Sequence, residues 1–149
     1  MKIWILSTEL PGFRPGGIAR YVDRFAGLAA KAGNEVTVLA PATESHCGET
    51  GAGYRLVSFE DKLDTVSAPE PGSEPDEHPD WPHNNMSYFA ALSHRFAVEA
   101  EALALREGPP DIVECQDYGA AGYFLLHRRL TAESPLAETP AVVHLHTPD

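Results

Sequence analysis

With 149 residues, 43% of them hydrophobic, the chain is one domain's worth of protein and can bury about two-thirds of its unfolded surface. Its formal net charge of −11 argues against a nucleic-acid partner, because binding a phosphate backbone depends on clustered Lys and Arg. No apolar run approaches the ~20 residues of a membrane helix, and the apolar start at Met1 reaches Ser7-Thr8-Glu9 too soon for a signal peptide.

A cytoplasmic location is therefore expected. The two cysteines, Cys47 and Cys115, are expected to stay reduced there, and they stand in unrelated contexts without metal-ligand spacing.

Lys2 to Ser7 is short, apolar and partly β-branched, and reads as a buried strand ending at the Pro- and Gly-rich loop Pro11 to Gly17. A helix follows. Ile18, Tyr21, Val22, Phe25, Ala26 and Ala29 form one apolar stripe, with Arg20, Asp23, Arg24 and Lys31 largely off it, and Gly33 is its natural stop. Glu35 to Ala40 reads as a second strand, so strand, helix and strand arrive within about 40 residues, the size of a βαβ unit with parallel pairing. A Gly-rich turn through Gly48, Gly51 and Gly53 leads to a third strand at Tyr54 to Phe59.

From Glu60 to Asn85 the composition changes. Glu60, Asp61, Asp64, Glu70, Glu74, Asp76, Glu77 and Asp80 stand against Lys62, with Pro69, Pro71, Pro75, Pro79 and Pro82 between them. Such a segment has little to bury and reads as a loop, 60–85, within one domain spanning 1–149. It is either a solvated excursion or a lid over a substrate cleft, docked by Trp81 and Tyr88.

Helical periodicity resumes from Met86 to Glu107, with Phe89, Leu92, Phe96, Ala100 and Leu103 on one face, and Gly108-Pro109-Pro110 ends it. Asp111 to Cys115 reads as a fourth strand and Ala141 to Leu145 as a fifth. Between them Tyr118 to Arg129 reads as a short helix offering Tyr123, Leu126 and Leu130 to the core.

The order β-α-β-β-α-β-α-β predicts an α/β, three-layer Rossmann-like fold with a mostly parallel sheet in strand order 3-2-1-4-5. Such a sheet reverses its direction of build between the first and fourth strands, and ligands gather at the carboxyl ends there. Three polar or Gly-rich groups are thereby selected: Ser7 to Gly17, Gln116-Asp117-Tyr118, and His146-Thr147. Their convergence points to a site or to a hydrogen-bonded loop brace. Gly16-Gly17 opens a helix, where absent side chains and unpaired N–H groups suit phosphate or hydroxyl oxygens, and a plain tight turn explains the pair equally well. The stretch lacks G-x-G-x-x-G and any P-loop Lys-Ser or Lys-Thr.

Three stretches together resemble glycosyltransferase family 4, retaining enzymes of the GT-B fold. They are Lys2 to Ser7 with Pro15-Gly16-Gly17-Ile18-Ala19-Arg20-Tyr21-Val22 and Ala29 to Pro41, then Pro110 to Gly119, then Val142 to Pro148. The resemblance covers most of the chain except the acidic loop.

It implies that a sugar moves from a nucleotide diphosphate donor to an acceptor saccharide or lipid with retention, without a cofactor or an obligatory metal ion. It places Gly16 and Gly17 against the donor phosphates and reacting sugar, and His146 as the catalytic histidine at the sugar. A neutral imidazole donates or accepts at a sugar hydroxyl, which suits that role. His144 points to the same sheet face and reads as a packed supporting residue. Asp117, Tyr118 and Thr147 complete the substrate-binding candidates, Asp117 reading equally as a helix cap. Arg20 reads as a phosphate neutraliser or a solvated helix residue, and Glu9 is a further candidate.

The resemblance also implies a carboxyl-terminal donor-binding domain that these residues do not supply. The chain is accordingly expected to be a truncated amino-terminal domain, inactive alone, whose full-length protein associates peripherally with a membrane. The rival expectations are a non-catalytic saccharide- or nucleotide-binding module and a fragment of a GT-B sugar-nucleotide epimerase. A dinucleotide-dependent oxidoreductase is disfavoured, because the phosphate fingerprint is absent and the second strand ends in Ala40-Pro41 instead of an acidic ribose ligand.

Overall fold

Strands buried on both faces of a parallel sheet read as apolar runs, and Lys2–Leu6 (β1) and Glu35–Ala42 (β2) pair in parallel at the centre of this one. The structure is a computed structural model that describes residues 1–11, 13–42, 46–60, 88–130 and 134–146, with the backbone alone at 46–47. Nearly all of the predicted acidic loop, with Trp81 and Thr147, lies outside the described residues, as does the side chain of Cys47.

The remaining strands are His46–Glu49 (β3), Arg55–Glu60 (β4), Ile112–Gln116 (β5) and Ala141–His144 (β6). The sheet order is β3-β4-β2-β1-β5-β6, and every pair is parallel except β3 with β4. The parallel order β4-β2-β1-β5-β6 is the expected 3-2-1-4-5. One element was not expected: part of the Gly-rich stretch read as a turn forms β3, an antiparallel edge strand. Its hairpin closes where Thr50 N–H donates to the Tyr54 carbonyl at 2.8 Å and Gly53, at φ +86°, donates to Thr50 at 3.0 Å.

Alternation along β1 divides the two cores. Ile5 faces Gly17–Lys31 (α1), meeting Ile18, Val22 and Ala26 along with Val36 and Val38 of β2. Trp4 and Leu6 face the opposite layer, Tyr88–Glu107 (α2) and Tyr123–Leu130 (α3), and pack with Leu92, Phe96, Leu103 and Leu125. The fold is thus α/β in three layers, Rossmann-like, with helices on both faces of the sheet. No helix among the described residues is long and apolar enough to cross a membrane.

The last helix departs from its sequence reading. A single helical turn at Tyr118–Ala120 carries Gly119 at φ +69° and Ala120 at φ +50°, which breaks the helix and restarts it at Tyr123. The new phase places Leu125 in the core, whereas Tyr123 and Leu130, expected there, are 58% and 87% exposed. Gly122 lets this helix approach β5: a Cβ there would sit 2.6 Å from Cys115 Sγ, inside the core. The Arg128–Glu101 ion pair, with Arg128 Nε 2.9 Å from Oε1, ties α3 to α2.

Candidate functional site

In a parallel sheet all carboxyl ends open on one side, so the chain leaving β1, β5 and β6 converges on the same edge. After β1, Ser7 and Thr8 are buried, and the Ser7 hydroxyl donates to the Glu9 carbonyl at 2.7 Å. This turn carries the Glu9 carboxylate to the start of α1, where Oε2 accepts the Ala19 N–H at 3.2 Å. Gly16, the capping residue, has no side chain to offer, and Glu9 satisfies one of the helix's unpaired donors from a distance in sequence.

The two glycines therefore serve different purposes. Gly16 is extended, at φ −155°, a conformation open to any residue; a Cβ there would overlap the Glu9 carboxylate and displace that side chain from the helix start. A Cβ on Gly17 would meet nothing within 4 Å. Gly17 borders an open cleft of about 630 Å³, lined also by Pro11, Pro15, Gly16, Ala19 and Arg20. Arg20 is exposed on that lining and makes no ion pair among the described residues. A helix N-terminus with an adjacent guanidinium attracts an anion, while Glu9 biases any such anion away from the Gly16 side.

Because Glu9 acts as the cap, Glu9→Ala is expected to cost about 1 kcal/mol and to lower the melting temperature by roughly 2–4 °C. An unchanged thermal unfolding curve would show that the carboxylate does not support the helix.

Polar residues in β5 build the second half of the edge. Gln116 stands opposite His144 in the parallel register and Glu114 opposite Val142, so Glu114, Gln116 and His144 share the sheet face that α1 covers. Glu114 is 9% exposed and Gln116 1%, and both are paired, as buried polar groups must be. Tyr21, from the first turns of α1, donates its hydroxyl to Glu114 Oε1 at 3.0 Å, and Gln116 Nε2 donates to the same oxygen at 3.1 Å. Gln116 Oε1 is in turn hydrogen-bonded to His146 Nε2.

The histidine is fixed from its backbone as well. Its N–H donates to Asp117 Oδ1 at 3.1 Å, and the Asp117 N–H donates to the His144 carbonyl at 3.1 Å. The His146 N–H is the first cause holding the Asp117 carboxyl below its usual range. Tyr21 packs against both imidazoles, its ring 4.4 Å from His144 and 5.5 Å from His146, and the two histidine rings lie 4.6 Å apart. Burial, then the charge and hydrogen bond of Glu114, push the Tyr21 phenol up to about 12.

The structure thus brings the predicted residues into two neighbouring groups. Gly16, Gly17, Glu9 and Arg20 form the cleft at the α1 N-terminus. His146 and Asp117 join His144, Tyr21, Glu114 and Gln116 in a hydrogen-bonded and ring-packed group. Tyr118 turns away from it: half-exposed, it packs edge-on against Phe89 of α2 at 5.8 Å.

Sequence reading singles out neither Tyr21 nor Glu114, and it places Gln116 at the edge without giving it a role. Tyr21 sat within an apolar stripe. Glu114 and Gln116, at alternate positions of an otherwise apolar strand, were the signal to follow, because buried polar groups require partners.

No curated protein matches the chain. The family model for Glycosyltransferase Family 4 matches residues 15–149, running from the diglycine at the start of α1 through β5, which carries Glu114 and Gln116, and on past β6 to His146. The chain belongs to glycosyltransferase family 4.

Proposed function

We propose that this chain is the acceptor-side domain of a retaining glycosyltransferase that moves a sugar from a nucleotide diphosphate donor to an acceptor saccharide or lipid in the cytoplasm. The observation that carries the reading is the open space at Gly17, where a helix N-terminus and Arg20 border one cleft on the edge that also holds His146. Oxygens of the donor diphosphate approach the α1 amides through the gap that the missing side chain leaves, and Arg20 offsets part of their charge. The imidazole of His146, fixed at ring and backbone, hydrogen-bonds a sugar hydroxyl near the reacting centre.

In the transfer, the bond between the anomeric carbon and the donor phosphate oxygen breaks as the acceptor oxygen bonds to that carbon. The acceptor proton passes to the departing phosphate, with no metal ion required. Stabilising the departing nucleotide diphosphate takes donors from both sides of a cleft. The nucleotide and the remaining phosphate contacts belong to a second domain, and these 149 residues alone transfer no sugar.

Transfer assayed with uridine, guanosine and adenosine diphosphate sugars, in a polypeptide that carries both domains, is expected to give product with the donor's anomeric configuration. The 149-residue chain assayed in parallel is expected to give none. Inverted product would remove the retaining mechanism, turnover by the chain alone would remove the two-domain requirement, and no transfer from any of the donors would remove the donor class.

A further inference from the structure

A ring histidine bound through Nε2 is either a donor or an acceptor there, and the groups behind it decide which. The line of contacts begins at Glu114, whose carboxylate can only accept when ionised and is nearly buried. Two donors converge on its Oε1, the Tyr21 hydroxyl at 3.0 Å and the Gln116 amide nitrogen at 3.1 Å. Tyr21 keeps its proton, since burial and the Glu114 charge both disfavour the phenolate.

The Gln116 amide is thereby oriented. Turned over, it would set its carbonyl oxygen against the nearly buried Glu114 carboxylate, two acceptors facing each other. With the nitrogen on Glu114, Oε1 faces His146 and can only accept, so His146 Nε2 carries the hydrogen. His146 Nδ1 has no hydrogen-bond partner among the described residues.

We infer that Glu114 and Gln116 are positioning residues that hold His146 in its Nε2–H form and in one ring orientation, leaving Nδ1 as an acceptor. Joined to the transfer reading above, on which this second step rests, a substrate hydroxyl donates to His146 Nδ1 and does not receive a hydrogen from it. Asp117 completes the mounting through the His146 backbone N–H. Neither Glu114 nor Gln116 touches substrate; each acts through the imidazole, in the way outer hydrogen-bond partners fix the tautomer of a metal-binding histidine.

The test is long-range proton–nitrogen correlation spectroscopy of the imidazoles in the 149-residue chain, at a pH where His146 is neutral. The wild type is expected to show His146 in the Nε2–H form alone, with an Nε2 proton protected from exchange with water. In Gln116→Met that protected proton is expected to disappear and a second tautomer to enter, while the backbone amide spectrum of β1 and β2 stays in place. Glu114→Gln, which lets the Gln116 amide turn over, is expected to bring in the second tautomer as well.

A wild-type His146 in the Nδ1–H form would overturn the inference without any variant, and so would a Gln116→Met spectrum with the protected proton intact. These results concern the ring and not the reaction. A wild type in the Nε2–H form whose two-domain enzyme transfers no sugar would leave the positioning of His146 standing and remove only the transfer reading.

Discussion

Phe96→Ala is expected to lower the free energy of unfolding by about 3–5 kcal/mol, a large share of the roughly 5–15 kcal/mol typical of a domain. Phe96 is fully buried on the inner face of α2, its ring edge-on to Phe59 of β4 at 5.2 Å. Its neighbours in the core include Trp4, Leu6, Leu39 and Leu92, all without exposed surface. Three of these stand on β1 and β2, which are hydrogen-bonded to strands on both sides, so the sheet has little freedom to collapse into the cavity. Urea titration should show the midpoint falling with the slope unchanged. A loss below about 1 kcal/mol would mean that α2 does not pack across the sheet centre. The same core bears on the site, because β1 runs from Trp4 and Leu6 straight into the Ser7–Glu9 turn that caps α1.

Much of this arrangement was legible in the sequence because buried parallel strands and amphipathic helices have strong local signatures. Trp4, Ile5 and Leu6 announce β1, the Ile18-Val22-Ala26 stripe announces α1, and alternate positions on β1 separate the two cores. What escaped is held by pairings distant in sequence or by backbone geometry. The edge strand β3 is joined to β4 by main-chain hydrogen bonds and carries no alternating apolar pattern. The phase of α3 is set by two left-handed residues before it, which exchanges Leu125 for Tyr123 in the core.

At the site the same limit applies. Glu114 is hydrogen-bonded to Tyr21, 93 residues earlier, and neither residue alone signals the other. His146 and Asp117 were read as separate strand-end candidates, yet one carries the other's backbone. The diglycine is visible as a pair, and nothing in its sequence distinguishes Gly16, which faces the Glu9 carboxylate, from Gly17, which opens on the cleft.

That distinction supplies the most direct test of the site. Gly17 is the first helical residue, in ordinary helical space, and an added methyl meets nothing within 4 Å. Alanine there is expected to stabilise the fold by about 0.5–1 kcal/mol, through reduced freedom of the unfolded chain. The same methyl occupies the approach to the α1 amides, and displacing the diphosphate by about 1 Å is expected to slow transfer on the order of 100-fold.

The decisive measurement is therefore thermal unfolding and sugar transfer on one Gly17→Ala variant of the two-domain enzyme, each against the wild type. The expected result is a melting temperature that is unchanged or higher, with transfer nearly lost. Transfer at the wild-type rate in a fully folded variant would contradict the placement of the donor phosphates at this edge.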